Sequence, residues 1–149
     1  MRIAISTLLL LASVTSIPAM AETCEVEIAG NDKIEYSKSE IRVSASCDKV
    51  RLTLKHTGKL PVEQMGHNWT LAKTDGWRDL AQAGVQAGLE NDYLPKGDGR
   101  IITHTDMIGG GESTSITFDL SQLKKGGDYT YFCSFPGHWA MMNGKFIIE

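Results

Sequence analysis

The chain has 149 residues, 42% of them hydrophobic, with 15 Lys+Arg against 18 Asp+Glu and a formal net charge of −3 at pH 7. This mildly acidic balance, with no basic run, excludes a nucleic-acid partner, because neutralising phosphates needs clustered Lys and Arg. The length suits one domain with one substantial core.

Met1–Ala21 reads as a secretory leader. It has a basic start at Arg2, an apolar run from Ile3 to Val14, and Ala19 and Ala21 in the small-residue pattern of a cleavage site. The run is shorter than the roughly 20 apolar residues that span a bilayer. Cleavage near Ala21 removes only Arg2 among the charges and leaves residues 22–149, with 14 basic against 18 acidic residues. No later stretch is apolar enough to span, so no membrane insertion is expected. Next come strand-like runs. "CEVEI" and "IRVSA" alternate, the second with Ile41, Val43 and Ala45 on one face. "KVRLTLKH" alternates most clearly, with Val50, Leu52, Leu54 and His56 on one face and Lys49, Arg51, Thr53 and Lys55 on the other. From Thr74 to Gly88 the period changes. Trp77, Leu80, Ala81, Val85 and Leu89 recur at three and four, with Thr74 as N-cap and Asp75 in the first turn, which predicts one amphipathic helix. "SITFDL", "DYTYFC" and "GKFII" return to strand composition. Gly-rich turns at 30–32, 57–59, 109–111 and 126–128 punctuate the runs. Many short strands with such turns predict an all-β sandwich or barrel of Greek-key type with one inserted helix.

Three cysteines cannot all pair within one chain. Cys24 and Cys47 lie near the mature start, away from Cys133. If those two bridge, the loop of about 24 residues contributes ~3–4 kcal/mol. Cys133 is then left over in an oxidising compartment, as an inert buried thiol, an intermolecular disulfide or a metal ligand.

Cys133 heads "CSFPGHWAMM", in which a thiol, an imidazole and two thioethers crowd around the turn-forming Phe135-Pro136-Gly137. Cys133, His138 and Met142 are spaced five and four apart, so a loop between two strands can aim all three at one centre. His67 in "MGHNW" is the best second histidine. Two neutral imidazoles, one thiolate and a weak axial thioether form the set of blue-copper electron-transfer sites. Zinc gains little from methionine, and the absence of Cys-x-x-Cys argues against zinc-ribbon or iron–sulfur sites. A cysteine nucleophile with a histidine base would leave His67 and Met142 without a role. Copper carriage or storage without redox work is the other alternative. His56, on an apolar strand face, is expected to be a buried, hydrogen-bonded histidine, and His104, among polar residues, a surface one.

Taken together, "LKHTGKLP", "MGHNW", the early cysteine pair, the inserted helix and "YFCSFPGHWAMMNGKF" resemble the azurin family of cupredoxins, the type 1 blue copper proteins, over the whole mature chain. The resemblance implies a single cupredoxin (plastocyanin-like) domain over 22–149 binding one copper. His67, Cys133 and His138 would be equatorial ligands, Met142 the axial ligand, and the Gly66 carbonyl a weak further contact. It implies that Asn68 braces the ligand loops near the thiolate, with Phe135 beside it, and that Cys24 and Cys47 form the family's disulfide. Composition alone does not choose between Met141 and Met142; the family spacing selects Met142 and turns Met141 outward. Trp139 is bulkier than the residue some relatives carry there, which leaves the outer contour of the loop open. The family also implies that His138 reaches the surface within an apolar patch of Leu60, Met65, Phe135, Pro136 and Ala140. The function implied is single-electron transfer by a monomeric, non-enzymatic periplasmic carrier. Its expected partners are redox proteins such as c-type cytochromes, copper nitrite reductase or amine dehydrogenase.

Overall fold

The computed structural model describes residues 21–149. All of the expected leader except Ala21 lies outside the described residues. The strands are β1 (Thr23–Gly30), β2 (Glu40–Val43), β3 (Lys49–His56), β4 (Thr70–Lys73), β5 (Ile101–His104), β6 (Ser113–Asp119), β7 (Tyr129–Phe132) and β8 (Asn143–Ile148). They form two sheets, one ordered β1-β3-β6 and the other β2-β8-β7-β4-β5. The chain crosses repeatedly between the sheets, as a Greek-key sandwich requires. β1 pairs with β3 in parallel, and β2 with β8 likewise. A disulfide joins Cys24 to Cys47 with Cα atoms 5.8 Å apart, so the head of β1 is tied to the turn that leads into β3.

The alternation in β3 is realised directly. Val50, Leu52, Leu54 and His56 are buried, while Lys49, Arg51 and Lys55 face solvent. The inner faces meet around Trp69, which is fully buried with its ring about 6 Å from those of Phe118, Tyr131 and Phe146. An aromatic of this size buries roughly 150–250 Å², so the cluster dominates the core.

β4 and β7 show no alternation. Thr70, Leu71 and Ala72 are all buried, as are all four residues of β7. The reason is a helix on the outer face of the larger sheet. α2 (Trp77–Gly84) lays Trp77, Leu80 and Ala81 against Ala72 and Phe132 and forms a second apolar cluster.

This helix is shorter than its periodicity predicts, and its cap is different. Its N-cap is Gly76, in the left-handed region at φ 89°. Thr74 does not cap because its hydroxyl is already engaged: it donates to Asp128 Oδ1 at 2.7 Å and lies 2.8 Å from Thr130 Oγ1. After Gly84 the chain tightens into a 3₁₀ turn at Val85–Ala87, and Val85 is 40% exposed rather than buried. A second, one-turn helix, α1 (Val62–Met65), precedes β4. Ala45 lies beyond the end of β2 and is exposed, off the face it was expected to share with Ile41 and Val43. No helix among the described residues is long and apolar enough to cross a membrane.

Candidate metal centre

Two loops at one end of the sandwich carry the donors. His67 follows α1 and is held by a two-way backbone bridge to Ile108, with N···O distances of 3.0 and 2.9 Å. Cys133 leaves β7 and Met142 enters β8. The two strands pair antiparallel with Phe132 opposite Asn143, so the ladder sets the width of the loop mouth. The Cys133 N–H donates to the Met142 carbonyl at 3.0 Å and closes it. Within the loop Gly137, at φ 83°, makes the turn that a residue with a Cβ resists, and His138 opens a 3₁₀ turn. Cys-x4-His-x3-Met is therefore the spacing of one hairpin end.

His67, Cys133 and His138 are buried and offer ligand atoms that all lie within 4.8 Å of one another. Cys133 Sγ stands 3.9 Å from His67 Nδ1, 3.8 Å from His138 Nδ1 and 3.8 Å from the Gly66 carbonyl oxygen. Bonds of roughly 2.1 Å to nitrogen and 2.3 Å to sulfur, opened to 120° around one ion, put N and S about 3.8 Å apart. Sulfur–nitrogen spacings of 3.8–3.9 Å therefore suit donors that share one ion. Met142 is fully buried beside this set. A Cβ at Gly30 would stand 2.7 Å from His67 Cδ2 and 3.2 Å from Met142 Cε, so bare backbone there lets both side chains close in. Met141 points the other way and is 64% exposed.

The surroundings prepare each donor. Only a ring N–H can bond a carbonyl, so the 2.8 Å contact from His67 Nε2 to the Asn31 oxygen leaves Nδ1 as the free nitrogen facing the centre. His56 stacks on the His67 ring at 4.3 Å and is itself fixed by the Met65 carbonyl and the Gly58 N–H. It is the buried, bonded histidine its strand position implied. Burial lowers both His67 and His138 to about 4, so each imidazole is neutral and able to donate its lone pair. Burial pushes the Cys133 thiol up to about 12, partly opposed by the backbone N–H groups of Asn68 and Phe135. A cation at the centre is what offsets the cost of a thiolate there. A soft thiolate and thioether with two imidazoles fit copper; the residues present suit that metal.

Asn68 binds across to the other loop: its Nδ2 donates to Ser134 Oγ at 2.8 Å and its Oδ1 accepts the Ser134 N–H at 2.9 Å. Phe135 stacks on His138 at 4.4 Å. Trp139 is half-buried and packs edge-on against Trp77, with ring centroids 6.2 Å apart. His138 is only 4% exposed, less open than expected. Of the residues expected to form the apolar patch, Ala140 is exposed and Leu60 is 37% exposed, while Met65, Phe135 and Pro136 are half-buried. His104 lies away from the centre, half-exposed, bonded to the Thr105 carbonyl. Asn31, Ser134 and Asp92 were not singled out from sequence. Asn31 stands only within a turn signal, and much of what Ser134 and Asp92 contribute runs through backbone groups that carry no sequence signal. Two surface clefts of about 430 and 390 Å³ open elsewhere, and neither is lined by His67, Cys133, His138 or Met142.

Comparison with known proteins agrees with this geometry. The family model described as copper binding proteins, plastocyanin/azurin family, matches residues 22–149. An azurin from Bordetella pertussis is 52% identical over 129 residues, covering 87% of this chain and 86% of that protein. An azurin from Pseudomonas aeruginosa is 42% identical over 139 residues, covering 93% and 94%. Among solved structures, an azurin (Az-iso2) from the obligate methylotroph Methylomonas sp. strain J superimposes with a TM-score of 0.81 at 44% identity, covering 85% of this chain and 98% of that one.

Proposed function

The chain belongs to the plastocyanin/azurin family of copper binding proteins, and from that premise we propose that His67, Cys133 and His138 hold one copper, with the Met142 thioether and the Gly66 carbonyl as weak further contacts. It is a type 1 blue copper electron-transfer protein. The observation that carries the ligand assignment is the buried donor set, with sulfur 3.8–3.9 Å from both nitrogens. Copper, when bound, supplies a one-electron Cu(II)/Cu(I) couple.

The protein's part is to keep the donors still. Asn31 fixes the His67 ring, the β7–β8 ladder fixes Cys133 against Met142, and the Asn68–Ser134 pair locks one loop to the other. Near-complete burial keeps water off the thiolate. The N–H groups of Asn68 and Phe135 face the sulfur and draw charge from it, which favours the reduced state.

Residues 1–21 are a leader removed on export, and 22–149 are the mature cupredoxin domain, a monomer in the periplasm. It works as a carrier, not an enzyme. Leu60, Met65, Phe135, Pro136 and Ala140 form a small apolar docking face around His138. The face suits brief encounters with redox proteins such as c-type cytochromes, copper nitrite reductase or amine dehydrogenase, since transient electron-transfer interfaces are small. Titrating apoprotein with Cu(II) while recording visible and EPR spectra tests the reading. One equivalent should bind with an intense thiolate-to-Cu(II) band, and Cys133→Ser should abolish the band. A colourless complex of the parent overturns the assignment.

A further inference from the structure

Asp92 and Tyr93 stand consecutively in the left-handed region, at φ 54° and φ 50°. Such backbone is costly for a residue with a Cβ, and Asp tolerates it better than most because its short side chain bonds locally. Helix termination explains part of it: Asp92 ends the 3₁₀ turn Leu89–Asn91, with its N–H on the Leu89 carbonyl. It does not explain the rest of the residue. The Asp92 carbonyl accepts the Ser134 hydroxyl at 2.5 Å and the Asn68 side-chain amide at 3.4 Å. Its Oδ1 accepts the Met107 N–H at 2.9 Å.

These donors belong to three segments, each next to a proposed copper contact. Ser134 follows Cys133, and Asn68 follows His67. Met107 packs on Gly66 so closely that a Cβ there would stand 3.0 Å from its Cγ and Sδ. Tyr93 adds a fourth link: its ring meets Phe135 edge-on at 5.3 Å, and Phe135 lies against His138. From behind, α2 presses on the same residues, since a Cβ at Gly84 would stand 2.0 Å from the Tyr93 carbonyl oxygen. Turning Asp92 out of the left-handed region would swing its carbonyl away from both loops at once. Building on the copper reading above, we infer that Asp92 is a positioning residue that holds the two ligand loops in register, its carbonyl on Ser134 and Asn68 and its carboxylate on the segment around Met107 that follows β5.

The test compares Asp92→Ala, Asp92→Asn and Ser134→Ala with the parent. In apoprotein under native conditions, the alkylation rate of Cys133 by iodoacetamide and hydrogen exchange at the Ser134 and Met107 amides report loosening without any metal. Asp92→Ala should raise both by roughly tenfold, as expected when hydrogen bonds that close a local opening are lost. In the copper form it should shift the reduction potential. Asp92→Asn, which keeps an acceptor for Met107 and tolerates the same backbone, should restore both readouts. If Asp92→Ala does not fold, Ser134→Ala removes one donor without touching Asp92 and should still speed alkylation. Lower resistance to urea with parental alkylation, exchange and potential would mean a merely structural role and overturns the inference. So does Asp92→Asn behaving like Asp92→Ala, which would point to charge instead of position, and so does a parental alkylation rate in Ser134→Ala. A parent that binds no copper sinks the functional reading alone, because the apoprotein comparisons still decide this one.

Discussion

Met141 and Met142 are chemically identical neighbours in opposite environments. One is 64% exposed and the other fully buried beside the donor set. An axial thioether is a weak donor that tunes the site, while the three equatorial bonds hold the metal. Met142→Leu should therefore keep the blue colour but raise the potential by tens of millivolts, since about 59 mV is a tenfold change for one electron. Met141→Leu should leave potential and spectrum close to the parent. Voltammetry on both variants decides the register; a large shift in Met141→Leu with none in Met142→Leu would mean it is wrong by one. A second expectation concerns backbone access. Gly66→Ala puts a Cβ 2.6 Å from the Val62 carbonyl oxygen, so the Gly66 carbonyl must move off its 3.8 Å approach to Cys133. The Cu(II) EPR hyperfine pattern should change even where the protein still folds. At this scale the sequence was informative about side chains that carry chemistry, because thiol, imidazole and thioether are rare and their spacing is constrained. It was silent about Asn31, which acts through its backbone carbonyl, and about Asp92, whose carbonyl and single carboxylate contact to Met107 depend on how distant segments meet.

Alternation is legible where one face meets solvent and lost where neither does. β3 shows its alternation because one face is wet. β4 and β7 show no alternation because α2 covers the outer face of the sheet; "DYTYFC" still reads as a strand from its β-rich composition, whereas "TLAK" carries no such signal. The helix itself was found from its spacing, but its start was misplaced. Thr74 has the right chemistry for a cap and spends it on Asp128 and Thr130 instead, a tertiary competition that no local pattern contains. α2 also supports the copper end of the molecule: Trp77, 5% exposed, touches Phe132 just before Cys133 and Trp139 just after His138. Trp77→Ala should cost about 3–5 kcal/mol of stability, the usual range for deleting a buried large aromatic. Urea unfolding would measure it. A loss below about 1 kcal/mol would mean the helix lies on the sheet without bracing it.

For the whole molecule, the buried donors make the stability of the metal-free protein depend on pH in a defined way. Burial lowers His67 and His138 from 6.5 to about 4. The unfolded chain then binds more protons than the folded one between those values, so stability is full above pH 6.5 and falls as pH drops toward 4. The loss is on the order of a few kcal/mol for the pair. Carboxylates held low, Asp98 at about 2 by Arg100 among them, add their losses only at more acid pH. On the alkaline side burial raises Cys133 from 9.0 to about 12, so the unfolded chain releases that proton first and stability falls as pH rises past 9. Tyr36 and Tyr131 are also raised by burial, but from 10.0, so their losses begin later. Apoprotein should therefore be most resistant to urea between about pH 6.5 and 9. Cys133→Ser apoprotein should keep the acid limb and lose the part of the alkaline limb between pH 9 and 10. Copper binding demands the thiolate and both neutral imidazoles, so it stabilises only the folded state and should carry the acid limb to lower pH. Urea midpoints of apo and copper forms at pH 5, 7.5 and 9.5 test all three statements. An apoprotein as stable at pH 5 as at pH 7.5 would show that the two imidazoles take up protons in the folded state. In that case the centre is not the closed, dry cage that the burial of its donors describes.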